Sequence, residues 1–398
     1  LFFQPPATEA SLRVTNNVRQ FPAINWVLVQ LAADLQILRK GRVAECYNKK
    51  CEHMFDLTSK TSSEAGPKPA REWVKVLAQY RKPNISRSVF ELLATLVPFF
   101  AIWALAWWSM SISYWLTVAI ALLNGPFLVR LFAIQHDCGH RSFVENRVLG
   151  DWIGRCLGVL TVTPYEMWRY AHSVHHNASG NLDRRGLGDI HTMTVREYNE
   201  AGWIARLYYR VYRNPFVTFL IAPGILFLVV NRLPFGFMNQ RKFWISAMGN
   251  NLGILALLGP IYVLGGWAPI LLIFLPSTIL ASSIGVWLFY VQHQFEHTHW
   301  EEDADWDLHE AALHGSSHYV LPPLLQWLSA NIGIHHVHHL NSRIPFYRLP
   351  EVLRDHEDLA VGAQLTIRES LQTAKLHLWD EDGKRLLSYK DARALVLE

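Results

Sequence analysis

Apolar residues in this chain gather into long unbroken runs instead of alternating with polar ones. Phe90–Met110 and Ser113–Ile134 each reach the roughly 20 residues that a helix needs to cross a bilayer. Phe243–Gly265 and Ala268–Gln292 form a second such pair. The pattern predicts four membrane-spanning helices, at about 90–110, 113–134, 243–265 and 268–292, arranged as two hairpins. Beyond the opening Glu91, the first pair carries one charge, Arg130, which is expected to snorkel from near the end of its span. Pro98, Pro126, Pro260 and Pro276 are tolerable in membrane helices, where neighbours re-satisfy the freed carbonyls. A shorter run, Phe216–Val230, has Arg210 and Arg213 before it and Arg232, Arg241 and Lys242 after it. Basic residues at both ends make it interfacial or re-entrant.

Lys and Arg set the expected orientation. Arg81, Lys82 and Arg87 precede the first span, and the segment 141–242 is rich in Arg, whereas the turns Met110–Ser113 and Gly265–Ala268 hold neither Lys nor Arg. By the positive-inside rule both turns face away from the cytoplasm, and both termini and the middle segment face it. The chain therefore reads as an all-α integral membrane protein of the inner or plasma membrane, with interfacial helices and a cytosolic helical cap. Residues 1–70 read as an extension, containing an amphipathic helix over Phe21–Lys40 and a polar linker. Residues 71–360 form the membrane domain, and 361–398 a cytosolic tail.

Composition narrows the function. Charged residues are 18% of the 398, below the roughly 25% of soluble domains, and four Cys cannot make a disulfide scaffold. A formal net charge of +4 with no basic run interleaved with aromatics argues against a nucleic-acid partner. Cys46, Cys51 and His53 lack the fourth ligand of a structural zinc site. The unusual feature is 19 His, of which all but His53, His356 and His377 fall between His136 and His339.

These histidines form clusters. His136 and His140 end the second apolar run; His172, His175 and His176 lie in the middle segment; His335, His338 and His339 follow the fourth run; and His293 and His297 stand at its end. Spacings of three and four put side chains on one helical face, so each cluster can present its imidazoles together. The topology puts all of them on one membrane side. Eight or nine nitrogens exceed what one ion can take, so two ions are implied. Imidazole suits Zn, Cu, Fe and Ni, but hydrolytic zinc needs only about three protein ligands and has no redox chemistry. Beside a membrane, the set fits iron and oxygen acting on an unactivated C–H bond of a lipid chain. The eight are expected to divide four and four, with room for one more nitrogen. His53, His356 and His377 read as surface residues, and His191, His299, His309, His314 and His318 as supporting or merely polar groups. A metal transporter is the rival from another class, but its ligands would sit near the bilayer midplane.

The sequence resembles the membrane-bound fatty acid desaturases of the bacterial acyl-lipid, omega-6 (delta-12) type. His136-Asp-Cys-Gly-His140, His172-Ser-Val-His175-His176 and His335-His-Val-His338-His339 match the three histidine boxes. The words around Asn181–Asp189, Phe289–Glu296 and Gly333–Asn341 are similar too. The likeness covers roughly residues 70–360. It implies four membrane helices under a cap that holds two irons above a bent acyl tunnel, O2 as co-substrate, and two electrons per turnover for a cis double bond. Related hydroxylases and acetylenases share the three boxes. With no His-Pro-Gly-Gly haem motif and no Cys-rich iron–sulfur pattern, the electrons are expected from an external carrier, a ferredoxin or similar. The arginines 184, 185, 206, 210 and 213 are candidates to attract an acidic carrier or anionic lipid headgroups. The resemblance favours His293, in a Gln-His pair, over His297 as the ninth ligand. Asp137, Asp183, Asp189 and Glu296, beside the clusters or in the matching words, are expected to support the ligands without binding metal.

Overall fold

The computed structural model describes residues 68–360 and 363–395. The amphipathic stretch Phe21–Lys40 and the Cys46, Cys51 and His53 group lie outside the described residues. Among the described residues, four helices are long and apolar enough to cross a membrane: Ile85–Ser109, Tyr114–His140, Arg241–Gly265 and Ile270–His293. Asn84 caps the first by accepting from the Arg87 N–H at 3.0 Å. The second is interrupted between Leu122 and Gly125, ahead of Pro126, and the Asn124 amide there donates to the Phe99 carbonyl at 3.1 Å. The fourth opens with a π turn, Ile270–Phe274, just before Pro276; the wider turn accommodates the N–H that proline lacks.

The second span runs to His140, six residues past the expected end at 134. Gln135, His136 and Asp137 are buried, so protein packing sustains the helix where lipid-facing apolarity stops. It ends at Arg141, whose φ is 64°. Arg130 consequently sits well inside the helix and does not snorkel. It is 1% exposed and ion-paired with the equally buried Glu91 of the first span. The Phe216–Val230 run belongs to Val217–Arg232, which is bent by 57° from Trp203–Tyr212 at a break containing Asn214 and Pro215.

Arg147–Leu160 and Tyr165–Ala178 open the middle segment after the second span, and short helices including Leu308–His314, Pro323–Leu328 and His335–Leu340 follow the fourth span. Together they build a cap at the end of the bundle where the second and fourth spans finish. The cap is not wholly helical. Met193–Thr194 pairs in parallel with Leu378–Trp379, and Leu378–Asp380 pairs antiparallel with Arg385–Leu387. His318–Tyr319 pairs in parallel with Gln364–Leu365.

Those pairings place residues 363–395, expected as a tail, firmly on the cap. Trp379 is fully buried with its ring stacked 5.6 Å from Trp300, and the Leu386 N–H donates to the Glu296 carbonyl at 2.9 Å. The Tyr290 hydroxyl, near the end of the fourth span, lies 3.1 Å from the Thr373 carbonyl and 3.0 Å from that of Leu376. Arg213 joins the same knot: it is 2% exposed and donates to Tyr290 Oη at 3.0 Å, Gln294 Oε1 at 2.9 Å and the Leu376 carbonyl at 2.8 Å. Arg213 is thus removed from the expected basic surface, while Arg184 pairs with Asp303 and Arg185 with Glu197. Two histidines expected at the surface are likewise engaged. His356 Nε2 lies 3.2 Å from Tyr80 Oη, and His377 stacks on Tyr389 at 4.3 Å. Replacing Trp379 by Ala should cost about 3–5 kcal/mol, read as a fall in the thermal unfolding midpoint of the purified protein.

Candidate metal centre

Nine imidazoles converge where the second and fourth spans meet the cap, and they sort into two groups. His136, His140, His172, His176 and His338 form one; His175, His293, His335 and His339 form the other. Within each group one ring nitrogen per residue lies within 4.8 Å of all the others. The division of the eight box histidines is therefore five and three, not four and four, and His293 brings the smaller group to four.

Helix geometry explains the sorting. On an α-helix residues four apart lie about 40° apart around the axis, while the residue three along lies about 60° the other way. Each i, i+4 pair accordingly stays together: His136 with His140, His172 with His176, and His335 with His339. The histidine three residues along each H-x-x-H-H box, His175 or His338, points to the other group. Both of these boxes thus contribute to both groups and lock them side by side.

Distances within the groups are short. His140 and His172 Nε2 are 2.9 Å apart, His172 and His176 3.1 Å, and His176 and His338 3.1 Å. In the other group His175 and His293 Nε2 are 3.1 Å apart, and His293 and His335 3.0 Å. For bonds of about 2.1 Å, ligands at right angles lie roughly 3.0 Å apart and tetrahedral ones roughly 3.4 Å. The spacing suits an ion of five or six coordination. The donor set fits a metal in two further ways. Burial, reinforced by neighbouring imidazoles, holds His172, His176, His335, His338 and His339 well below the ordinary imidazole range, so they are neutral near pH 7. His339 Nε2 is buried without a hydrogen-bond partner, an arrangement a bound ion would satisfy.

In two of the rings the outer nitrogen is held by the protein, which fixes the tautomer. His175 Nδ1 donates to Asp189 Oδ1 at 2.5 Å, and His293 Nδ1 to the Gly315 carbonyl at 3.2 Å, leaving each Nε2 lone pair directed inward. Gly188, at φ +84°, brings Asp189 to His175; a Cβ there would lie 2.8 Å from the Ala171 carbonyl. Asp137 is buried, its Oδ1 3.4 Å from His136 Nδ1 and its Oδ2 accepting from the Phe346 N–H at 2.8 Å. Asp183 and Glu296 lie elsewhere. Asp183 accepts from the Asp303 N–H at 2.8 Å, and Glu296 is exposed, because the fourth helix ends at His293 and the chain turns away at Gln294. The same turn exposes His297, so it shares no helical face with His293. His336, between the clustered histidines of the third box, donates instead to the Leu359 carbonyl at 2.8 Å.

Sequence reading missed Trp168, which stacks on His172 at 4.8 Å and lies four residues before it, a helical spacing that could have marked it. Nothing local marks Gly315 or Phe346, whose roles come from segments far along the chain. Trp168 also lines a cavity of about 390 Å³ that reaches His136, His172 and His335, and hence both groups. Its remaining wall is largely apolar, with Leu128, Phe132, Phe227 and Phe289 and the fourth-span residues from Thr278 to Gln292.

Buried paired imidazoles opening onto an apolar cavity within a membrane helix bundle define a class, and comparison with known proteins identifies it. Residues 113–370 match the family model for fatty acid desaturase. The chain belongs to the fatty acid desaturase family. It is 43% identical over 324 residues to a fatty acid desaturase of Bacillus subtilis (strain 168), covering 80% of this chain and 91% of that protein. It is 26% identical over 258 residues to an sn-1 oleoyl-lipid 12-desaturase of Synechocystis, covering 64% and 70%. It is 27% identical over 283 residues to an sn-1 acyl-lipid omega-3 desaturase (ferredoxin) of Nostoc, covering 68% and 75%. The enzyme is therefore a membrane oxidoreductase of lipid metabolism.

The supporting contacts of this desaturase make separable predictions. Asp189→Asn should weaken metal retention about 10–100-fold in chelator competition, whereas Glu296→Gln should leave it unchanged. His293→Ala should lower the metal content of the inserted protein, and His297→Ala should not.

Proposed function

We propose that the enzyme introduces a cis double bond into a lipid acyl chain, using O2, two external electrons and a pair of irons held by the nine imidazoles. The observation that carries this reading is the apolar cavity whose wall includes ligands of both imidazole groups. An acyl chain lying in it would place its methylenes against the metal pair along a largely apolar wall. The bound irons would supply the reduction of O2 and the removal of hydrogen from an unactivated C–H bond. Overall, two hydrogens leave adjacent carbons and, with O2, two electrons and two protons, give the alkene and two waters.

The chain's own residues organise this chemistry. His136, His140, His172, His176 and His338 would hold one iron, and His175, His293, His335 and His339 the other. Asp189 orients His175, and Asp137 lies against His136. Trp168 and Phe289 pack against ligand rings and form part of the cavity wall, excluding water beside the metals. Five- or six-fold spacing in an all-imidazole set favours iron over four-coordinate zinc. The names of the relatives support an acyl-lipid substrate, and that of the Nostoc protein supports a ferredoxin-type donor. The arginine-rich flanks support a cytoplasmic cap and cytoplasmic termini in the inner or plasma membrane.

Gas chromatography of fatty acid esters from a host with and without the gene should show new alkenes; hydroxy-fatty acids without alkenes would overturn the reading. Protein from iron-supplemented medium should carry two irons per chain, and full activity with zinc alone would defeat the iron assignment. The cavity generates a further expectation. Gly285 lines it, and a Cβ there meets nothing within 4 Å. Gly285→Leu should project into the chain's path and lower product from the longest accepted chain about 10-fold relative to shorter ones, in the same lipid profile.

A further inference from the structure

Arg130 and Glu91 are both about 1% exposed inside membrane spans, where an ionisable pair is costly and needs a reason. Joining the first two spans accounts for only part of what Arg130 does. Its Nε donates to Thr95 Oγ1 at 3.1 Å, one helical turn from Glu91, while another branch of the guanidinium donates to the Trp327 carbonyl. The guanidinium also lies 4.1 Å from the Trp327 ring centre and 5.3 Å from that of Phe346. Trp327 and Phe346 flank the third box on either side, eight residues before His335 and seven after His339.

The second span holds both flanks. Asp137 lies seven residues after Arg130, two turns along the same helical face, and accepts from the Phe346 N–H at 2.8 Å. The Asn331 amide closes the loop by donating to the Phe346 carbonyl at 3.1 Å. The helix that ends in His136 and His140 is thereby tied to the segments entering and leaving the third box. That box supplies His338 to one imidazole group and His335 and His339 to the other. We propose that Arg130, anchored by Glu91, is a positioning residue that clamps the third histidine box to the second span and so sets the register of both imidazole groups. The proposal rests on the metal-centre reading above.

A role confined to packing and a positioning role differ in what an apolar replacement restores. Arg130→Met alone leaves the buried Glu91 with only the exposed Arg87, at 2.7 Å, as a charged partner and should reduce folded yield. The double variant Glu91→Leu with Arg130→Met removes both charges and should recover that yield, but it lacks the reach to Trp327. Full-length protein in lipid nanodiscs would be compared for thermal midpoint without metal, irons per chain, Mössbauer spectrum and rate of iron loss to a chelator. The expected result is a folded double variant that loses iron about 10-fold or more faster than the wild type, with an altered spectrum. Arg130→Lys provides the check if the double variant does not fold. It keeps the charge beside Glu91, but one ammonium cannot reach Glu91, Thr95 and Trp327 together, so it too should fold and lose iron faster. Wild-type iron retention and spectrum in the folded double variant, or in Arg130→Lys where the double variant fails to fold, would overturn the proposal. A wild-type protein without iron would instead overturn the metal-centre reading, so the two failures are distinct.

Discussion

Nine imidazoles converge at the junction of the spans and the cap, and bringing their ring nitrogens together is the constraint around which the fold is organised. Most would have no partner in an apolar interior except each other or a metal. Protein contacts orient two of them through the outer nitrogen, with Asp189 on His175 and the Gly315 carbonyl on His293. The two H-x-x-H-H boxes convert a local helical property into a global one. Because the histidine three along each box points about 100° from the one four along, neither helix can direct all its box imidazoles to one group. Two short helices that each serve both groups hold them at a defined separation.

The apolar interior also explains how this desaturase uses its buried charges. Arg130 and Arg213 are both expensive to bury, and each crosses between segments distant in the sequence. Arg130 joins the first and second spans to Trp327, and Arg213 joins the fourth span to the middle segment and the C-terminal residues. In each case the guanidinium donates to oxygens on segments far apart in the sequence. Both knots lie close in sequence to ligands: Arg130 shares a helix with His136, and Tyr290 and Gln294 bracket His293.

The cavity follows from the same architecture. The second span and the fourth contribute ligands at their ends and apolar or small side chains along their length. The cavity between them has largely apolar walls and reaches His136, His172 and His335. Thr278, Ser282 and Gly285 leave room on the fourth span where larger residues would close it, which links the composition of that helix to the volume available for substrate.

The sequence by itself determined the four spans, the desaturase family and the nine histidines, because each rests on information carried locally. Apolar run length reports membrane crossing, and the three- and four-residue spacings report shared helical faces. Tertiary structure decided what depends on distant segments. It divided the box histidines five and three, since their directions matter only once helices face each other. It separated Asp189, delivered by Gly188, from Asp183 and Glu296, which are as near to histidines in sequence but are turned elsewhere. It buried Arg130 because Glu91, 39 residues earlier, offered a charge that no reading of the second span alone contains. It folded residues 363–395 onto the cap through strands of two or three residues. Segments that short carry no periodicity of their own, and only the partner strand makes them strands.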